Sequence, residues 1–415
     1  MIVNQQRIVV IGGGSAGIAA GIAAAEVGFQ VLLIEKSAYL GGKATASEVG
    51  TICGAYRYSS TIQADLILKG FAKDFVEELA IVSKTKPLSN QYGLHYLPYN
   101  IQQFKQLSLK QLTEKGVEIL LKTSVTNVYA TSGQITAIEL DQNGQKEMIE
   151  VAALIDASGD ALVSKLLQLP LIQSSNYQAA AQIFTLSNLP DFGENQLNLI
   201  FMKNIHAAVL QDDLPAYYKA FSIVQGSKTA KSVKLKMTIP LEVNSTQVNL
   251  ELLHKKGQEM ANQFVQIQQT KSESMQSIQL ESIADEIGVR VLERPMGKYV
   301  LTEDDVLSAR KFDHAIATGA WPIEIWHPLK PLEMHYFNEN EWYQIPVDCI
   351  LSNEISNLYF AGRSISATDN AIASARVMGT CLQTGFAAGK IAVDVLKGLS
   401  IEESVSQIKI LQIID

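Results

Sequence analysis

The chain has 415 residues, 47% of them hydrophobic and 18% charged, with a formal net charge of −8. It is longer than a single hydrophobic core usually serves, so two domains are expected, and its composition excludes disorder while its acidic balance argues against nucleic acid as a partner. No apolar run is long enough for a membrane span, no charged-then-apolar leader opens the chain, and three scattered cysteines exclude a disulfide scaffold, so a cytoplasmic location is expected.

Residues 7–35, RIVVIGGGSAGIAAGIAAAEVGFQVLLIE, carry the strongest local pattern. An apolar strand at 7–11 enters the turn Gly12-Gly13-Gly14-Ser15-Ala16-Gly17. An alanine-rich helix to about residue 27 and a second strand over 29–34, ending on Glu35, follow. This is the βαβ dinucleotide fingerprint. Gly12 permits the tight turn, Gly14 lets backbone approach a pyrophosphate, and Gly17 lets the helix lie close to the strands. The helix start at Ser15 and Ala16 offers N–H groups and a positive dipole end to phosphates. Glu35 can accept ribose hydroxyls, and Lys36 follows it. A second flexible loop, Gly41-Gly42 with Lys43, Ala44 and Thr45, then adds backbone and small side chains of the kind that meet the pyrophosphate and flavin in FAD enzymes. An NAD-only domain does not need that contact. The expected cofactor is FAD.

Beyond it, residues 46–60 are small and polar, a loop able to pass under a flavin. Helical periodicity predicts helices at about 62–82 and 101–115. Four strands follow at 117–122, 124–130, 134–140 and 147–160, and the Ser132-Gly133 and Asn143-Gly144 breaks predict a meander of three of them. Val125 is expected beside the adenine, and the strand ending at Ser158-Gly159 as a further backbone approach to the cofactor. From about 170 to 345 the texture changes to alternating strands, such as 179–188 and 233–243, and a long polar helix over 249–288. A strand at 358–361 then stops at Gly362-Arg363, before a small-residue helix over 371–396. That late piece is expected to return to the first domain, with Gly362 and Arg363 at the flavin-side phosphate and ribitol. The helix start at Ala371 and Ile372 is expected to face the flavin ring.

These features predict an α/β protein. A glutathione-reductase-like FAD-binding Rossmann domain, 1–168 with 346–400, would receive an inserted α+β substrate domain of antiparallel sheet plus helices, 169–345. Residues 401–415 read as a tail. Four stretches, VIGGGSAGIAA with GGKAT and TICG, LIDASGDALV, GVRVLERPMGKYVLTEDDVLSARKFDHAIATGAWPIEIWHP and YQIPVDCILSNEISNLYFAGRSISAT with SARVMGTC and GFAAGK, resemble the FAD-dependent oxidoreductase family of glutathione-reductase-like flavoproteins. The resemblance implies fold and cofactor, and reaction only as far as flavin redox. Family members commonly place arginine at the position of Pro295 and proline at that of Gly379, so their typical substrates do not transfer.

A flavin carries the redox step while the protein binds substrate and moves protons. His327, in WPIEIWHP, is a candidate general base, with Glu324 a weaker one. Arg290 and Arg376 are candidates to clamp a substrate carboxylate. Cys53 reads as a small buried hydrophobe, and Thr302 with Asp304 and Asp305 as a helix cap and first turn. No His/Cys set has metal-ligand spacing, so no metal is expected. The expected enzyme is a dehydrogenase or oxidase passing hydride from a small organic substrate to flavin N5, with dioxygen or NAD(P)H as the other redox partner. A monooxygenase or halogenase shares GGGxAG and DASG, although Trp342-Tyr343-Gln344-Ile345-Pro346 lacks the leading tryptophan of a halogenase signature. A non-enzymatic or tRNA-modification flavoprotein is disfavoured by the acidic charge.

Overall fold

Two apolar patterns of different period build two cores. The near-continuous apolar strands Arg7–Ile11, Gln30–Glu35 and Ala153–Asp156 are buried along almost their whole length, as parallel strands covered on both faces must be. The computed structural model describes residues 7–25, 29–60, 63–174, 177–244 and 246–412. It joins those strands with Glu118–Leu121 and Leu358–Phe360 in a five-stranded parallel sheet. From one edge the order runs Leu358–Phe360, Ala153–Asp156, Arg7–Ile11, Gln30–Glu35, Glu118–Leu121. A late strand therefore completes a sheet begun at the N-terminus. The meander expected from the Ser-Gly and Asn-Gly turns forms from Ser124–Thr131, Gln134–Gln142 and Gln145–Glu150.

Alternating strands make the second layer. Phe221–Ile223, Val233–Thr238, Ala181–Ser187 and Gln279–Ile283 form an antiparallel sheet in that order. The helices Glu194–Leu210 and Gln247–Lys271 pack on it. Phe264 centres this core, with ring centroids 5.7 Å from Phe184, 5.5 Å from Phe201 and 5.1 Å from Phe221. Its fully buried members lie between Ala180 and Leu292. Leu301, Ile316, Tyr343 and Ile345, inside the span 169–345, instead join the core of the parallel sheet.

Several element boundaries depart from expectation. The helix expected over 249–288 stops at Lys271, and Gln279–Ile283 becomes an edge strand because Phe184 and Ser187 pair with its ends. The helix expected from 62 starts at Gly70, where φ is +52° and a Cβ would stand 2.3 Å from the Leu411 carbonyl oxygen. Residues 61–62, and 26–28 at the end of the first helix, lie outside the described residues. The expected tail is the helix Ile401–Gln412, which buries Val405 and Ile408 in the first core. Finally, the helix expected over 371–396 is two, Asp369–Ala375 and Met378–Leu396, with extended backbone at Val377 between them. None of the helices among the described residues is long and apolar enough to cross a membrane.

Candidate active site

The fingerprint turn shows why each glycine is there. Gly12 has φ +100°, and a Cβ on it would lie 2.5 Å from the Ala157 carbonyl oxygen. A Cβ on Gly17 would lie 1.7 Å from the Gly12 carbonyl oxygen, so the helix Ser15–Ala24 can approach the strand only without a side chain. Gly14 differs: a Cβ there would meet only the Gly42 Cα, at 3.9 Å. Its bareness serves no protein contact and leaves a surface where a phosphate can approach. The helix start has no capping side chain and no acid in its first turn, so Ser15, Ala16 and their neighbours present unneutralised N–H groups there.

Around that turn the other expected cofactor residues gather. Glu35 is buried at the strand end and accepts from the N–H of Gly13 at 2.7 Å and of Ser37 at 2.8 Å. Gly41 N–H donates to the Gly13 carbonyl, which brings Gly42 and the Lys43–Ala46 turn beside Gly14. Thr45 folds back to the Leu40 carbonyl, and Ala44 is buried beneath. Lys43 reaches the other half of the molecule, pairing with Glu286 at 2.6 Å, and burial holds its pKa below the usual lysine range. Ser158 caps the Asp156 carboxylate, and Gly159 N–H donates to Ser364 Oγ at 3.0 Å. Asp160 draws in Lys36 at 4.0 Å and Arg363 at 3.5 Å. Gly362, at φ +65°, packs on Ala16. Lys36, Lys43, Asp160, Glu286 and His254 share the lining of a cleft of about 430 Å3 between the two layers.

Val125 and the start of the first late helix have protein partners of their own. Val125 is buried in the meander's core beside Leu140. Ala371 N–H donates to Thr368 Oγ1 and Ile372 N–H to the Thr368 carbonyl, so the first late helix caps itself. It is the second late helix, Met378–Leu396, that starts without a side-chain cap. Gly379 N–H donates to the Cys53 carbonyl there, and a Cβ on Gly379 would lie 2.5 Å from the Gly54 carbonyl oxygen. Burial pushes the Cys53 thiol up to about 12, which makes it an inert neighbour.

Next to this start, the break at Arg376–Val377 turns Arg376 toward the second layer. Its guanidinium donates to Gln178 Oε1 and to the Glu324 carbonyl, both at 3.3 Å, and lies 3.8 Å from the Glu324 carboxylate. Arg290 donates to the Ala179 carbonyl and lies 4.5 Å over the Trp326 ring. Ala179 N–H in turn donates to the Trp326 carbonyl. The short stretch Gln178–Ala179 thus ties both arginines and the Trp326 loop together. Burial first, then Arg376, pulls Arg290 down to about 9. Lys236, which the sequence reading did not single out, stands 4.2 Å over the same indole, and burial, then Arg290, pulls it down to about 8. Its signal was the alternation of VKLKMT, which buries Val233, Leu235 and Met237 on one face and sends both lysines to the other.

His327, next to Trp326 in the chain, makes its side-chain contact on the neighbouring hairpin. Its Nε2 is 3.2 Å from Glu333, which also meets His335 at 2.7 Å, on the hairpin of Ile323–Ile325 and Glu333–His335. These bonds hold the Glu333 carboxyl below the usual range. Tyr343 and Pro346 of the WYQIP stretch belong to a strand paired with Ala315–Gly319, a structural role.

A glycine turn shaped for a pyrophosphate, an uncapped helix start and a buried acid at the second strand define a dinucleotide-binding α/β protein. The chain matches the FAD dependent oxidoreductase family over residues 7–412, and it belongs to that family. It is therefore an FAD-dependent enzyme, and the open surface at Gly14 fits that cofactor. No match is found among curated protein sequences. Among solved structures, a geranylgeranyl bacteriochlorophyll reductase-like protein from Thermoplasma acidophilum is 11% identical, with a TM-score of 0.50 over 98% of this chain and 83% of that one. The myxobacterial chondrochloren halogenase CndH is 13% identical, with a TM-score of 0.47 over 97% of this chain and 78% of its own. The first of these likenesses is one of fold alone, an α/β architecture around a parallel sheet.

Proposed function

We propose that this enzyme is a dehydrogenase or oxidase of the glutathione-reductase-like subtype that takes hydride from a small organic acid. Bound FAD supplies the hydride-accepting chemistry; the chain binds substrate, excludes water and moves the proton. One observation carries the reading. Arg290 and Arg376, from distant parts of the sequence and both half-buried, meet through Gln178–Ala179 next to the start of Met378–Leu396. Two guanidiniums set together in this way suit a carboxylate, which both forks can grip. Residues 1–168 with 346–400 would then serve the cofactor and 169–345 the substrate, with 301–345 buttressing the parallel sheet. Gly12, Gly14, Gly17, Glu35, Gly42, Ser158, Gly159, Gly362 and Arg363 would hold FAD.

His327 is the proposed proton acceptor. Its Nε2–H donates to Glu333, which leaves Nδ1 as the basic nitrogen. The test is anaerobic mixing of the yellow protein with pools of hydroxy acids, amines including amino acids, NADH and NADPH, followed at the flavin band. Bleaching by a hydroxy acid or an amino acid is the expected result; bleaching by NAD(P)H alone would favour the monooxygenase alternative. With the reducing substrate in hand, His327→Ala should keep its flavin spectrum and slow reduction by about 10²–10⁴-fold. An unchanged rate would return His327 to a structural role.

A further inference from the structure

Three cations converge on the Trp326 loop, and one carboxylate answers them. Lys234, on the same strand face as Lys236, is neutralised by Glu48. Lys236 has no ion-pair partner among the described residues; its ammonium rests on an indole it shares with Arg290. Glu324 is the carboxylate that acts on Lys236, Arg290 and Arg376 alike. With all four groups ionised the cluster carries two positive charges in excess. The face of an aromatic ring attracts cations but cannot neutralise them, and like charges crowded at a half-buried place are unfavourable without a counter-ion. A second observation points the same way. Arg376 Nε is buried with no acceptor, although the other side of its guanidinium is bonded.

We propose that the site takes a doubly anionic substrate, a dicarboxylate with one carboxylate on Arg376 and Arg290 and the other on Lys236 beside Trp326. The inference rests on the substrate-clamp reading above and extends it from one anionic group to two. Trp321 and Val377 form an apolar cluster with Cys53, which is close enough to act on both Arg376 and Lys236, so the carbon chain would have apolar neighbours. The lowered proton affinity of Lys236 adds a pH signature. Arg290, Arg376, Glu324 and Cys53 face this ammonium, and its charge is what the second carboxylate needs. Dicarboxylate affinity should therefore be full below about pH 8 and fall as the pH rises through that value.

The test uses the oxidised FAD-loaded enzyme and reads binding by calorimetry and by perturbation of the flavin spectrum, without turnover. Succinate and glutarate should bind at least about tenfold more tightly than butyrate. Lys236→Met should remove that preference while retaining flavin, and Lys236→Arg should restore it. Equal affinity for succinate and butyrate would overturn the proposal, as would succinate binding unchanged in Lys236→Met. Inorganic phosphate binding more tightly than succinate would overturn the dicarboxylate assignment too. Because nothing in this assay requires reduction, tight dicarboxylate binding with no bleaching by any acid would sink the hydride-transfer reading and leave the dianion site standing. Bleaching by a monocarboxylic hydroxy acid with no dicarboxylate preference would do the reverse.

Discussion

Gly14 and Gly17 sit in the same turn, and their missing side chains serve different partners. At Gly17 a Cβ would overlap the Gly12 carbonyl, whereas at Gly14 it would meet nothing closer than 3.9 Å. Gly14 also has an ordinary φ of −73°. Gly14→Val should therefore give a folded, soluble, colourless protein, because the branched side chain fills the phosphate's approach without straining the chain. Gly17→Ala should compromise folding itself, costing about 1–3 kcal/mol or more as overpacking does. Circular dichroism with flavin content separates the two. Loss of fold in Gly14→Val, or full flavin retention, would contradict this division. Both glycines belong to a spacing visible in the sequence, but which of them faces ligand and which faces protein depends on where Gly42 and Ala157 lie.

At the scale of elements, the short helix Glu303–Leu307 shows a cap that was legible beforehand and electrostatics that were not. Thr302 accepts from the Asp305 N–H, and Asp305 Oδ2 accepts in return from the Thr302 N–H at 2.9 Å, a complete capping box. Tyr299 OH at 2.8 Å and Arg310 at 2.9 Å add further donors to the same carboxylate. Burial alone would raise this carboxyl, but those hydrogen bonds outweigh it and hold the pKa below the usual range. A depressed native pKa stabilises the fold above the unfolded value, near 3.9, and that contribution disappears as the pH falls through the native value. Asp305→Asn should thus lose about 1–3 kcal/mol at pH 7, and the gap should narrow toward pH 3. Denaturant melts at the two pH values check it; a gap independent of pH would show that charge is not what matters at Asp305. The split of the late helix belongs here as well. No proline or glycine marks Arg376–Val377, so the sequence reads as one helix. The break follows from tertiary bonds, with Gly379 held by Cys53 and Arg376 by Gln178 and Glu324.

Over the whole molecule, the two layers meet around the glycine loops. Lys43 pairs with Glu286 and donates to the Ile287 carbonyl, Arg363 donates to the Val289 carbonyl, and Lys234 pairs with Glu48. Each contact joins a residue from the glycine loops or the late strand end to the antiparallel layer. A flavin seated between them would tie both layers into one unit. Removing it should lower the melting temperature of the entire chain, and adding FAD at about 100 times its Kd should restore about 2.7 kcal/mol. Calorimetry of stripped and reloaded protein gives the answer. Two separate transitions, with only one responding to FAD, would show that the layers melt independently.

Local pattern alone determined the βαβ turn, its acid, the meander and the capping box, because glycine geometry, strand alternation and cap chemistry act between residues a few positions apart. That was enough for an α/β fold with a parallel sheet, and the late strand with Gly362 and the small-residue helix after it gave the stronger reason for FAD. The end of the long polar helix, the start at Gly70, the helical tail and the break at Arg376 were set by partners far along the chain. Each of those boundaries is a contest between local propensity and a distant hydrogen bond or steric limit. The charged site lies entirely on that second side. Lys236, Arg290, Glu324 and Arg376 come from four separate stretches, and only the packing of one layer on the other makes them neighbours. The sequence already marked both arginines as possible anchors. Their convergence with an additional lysine on one indole, and the charge left over when Glu324 is counted, exist only in three dimensions.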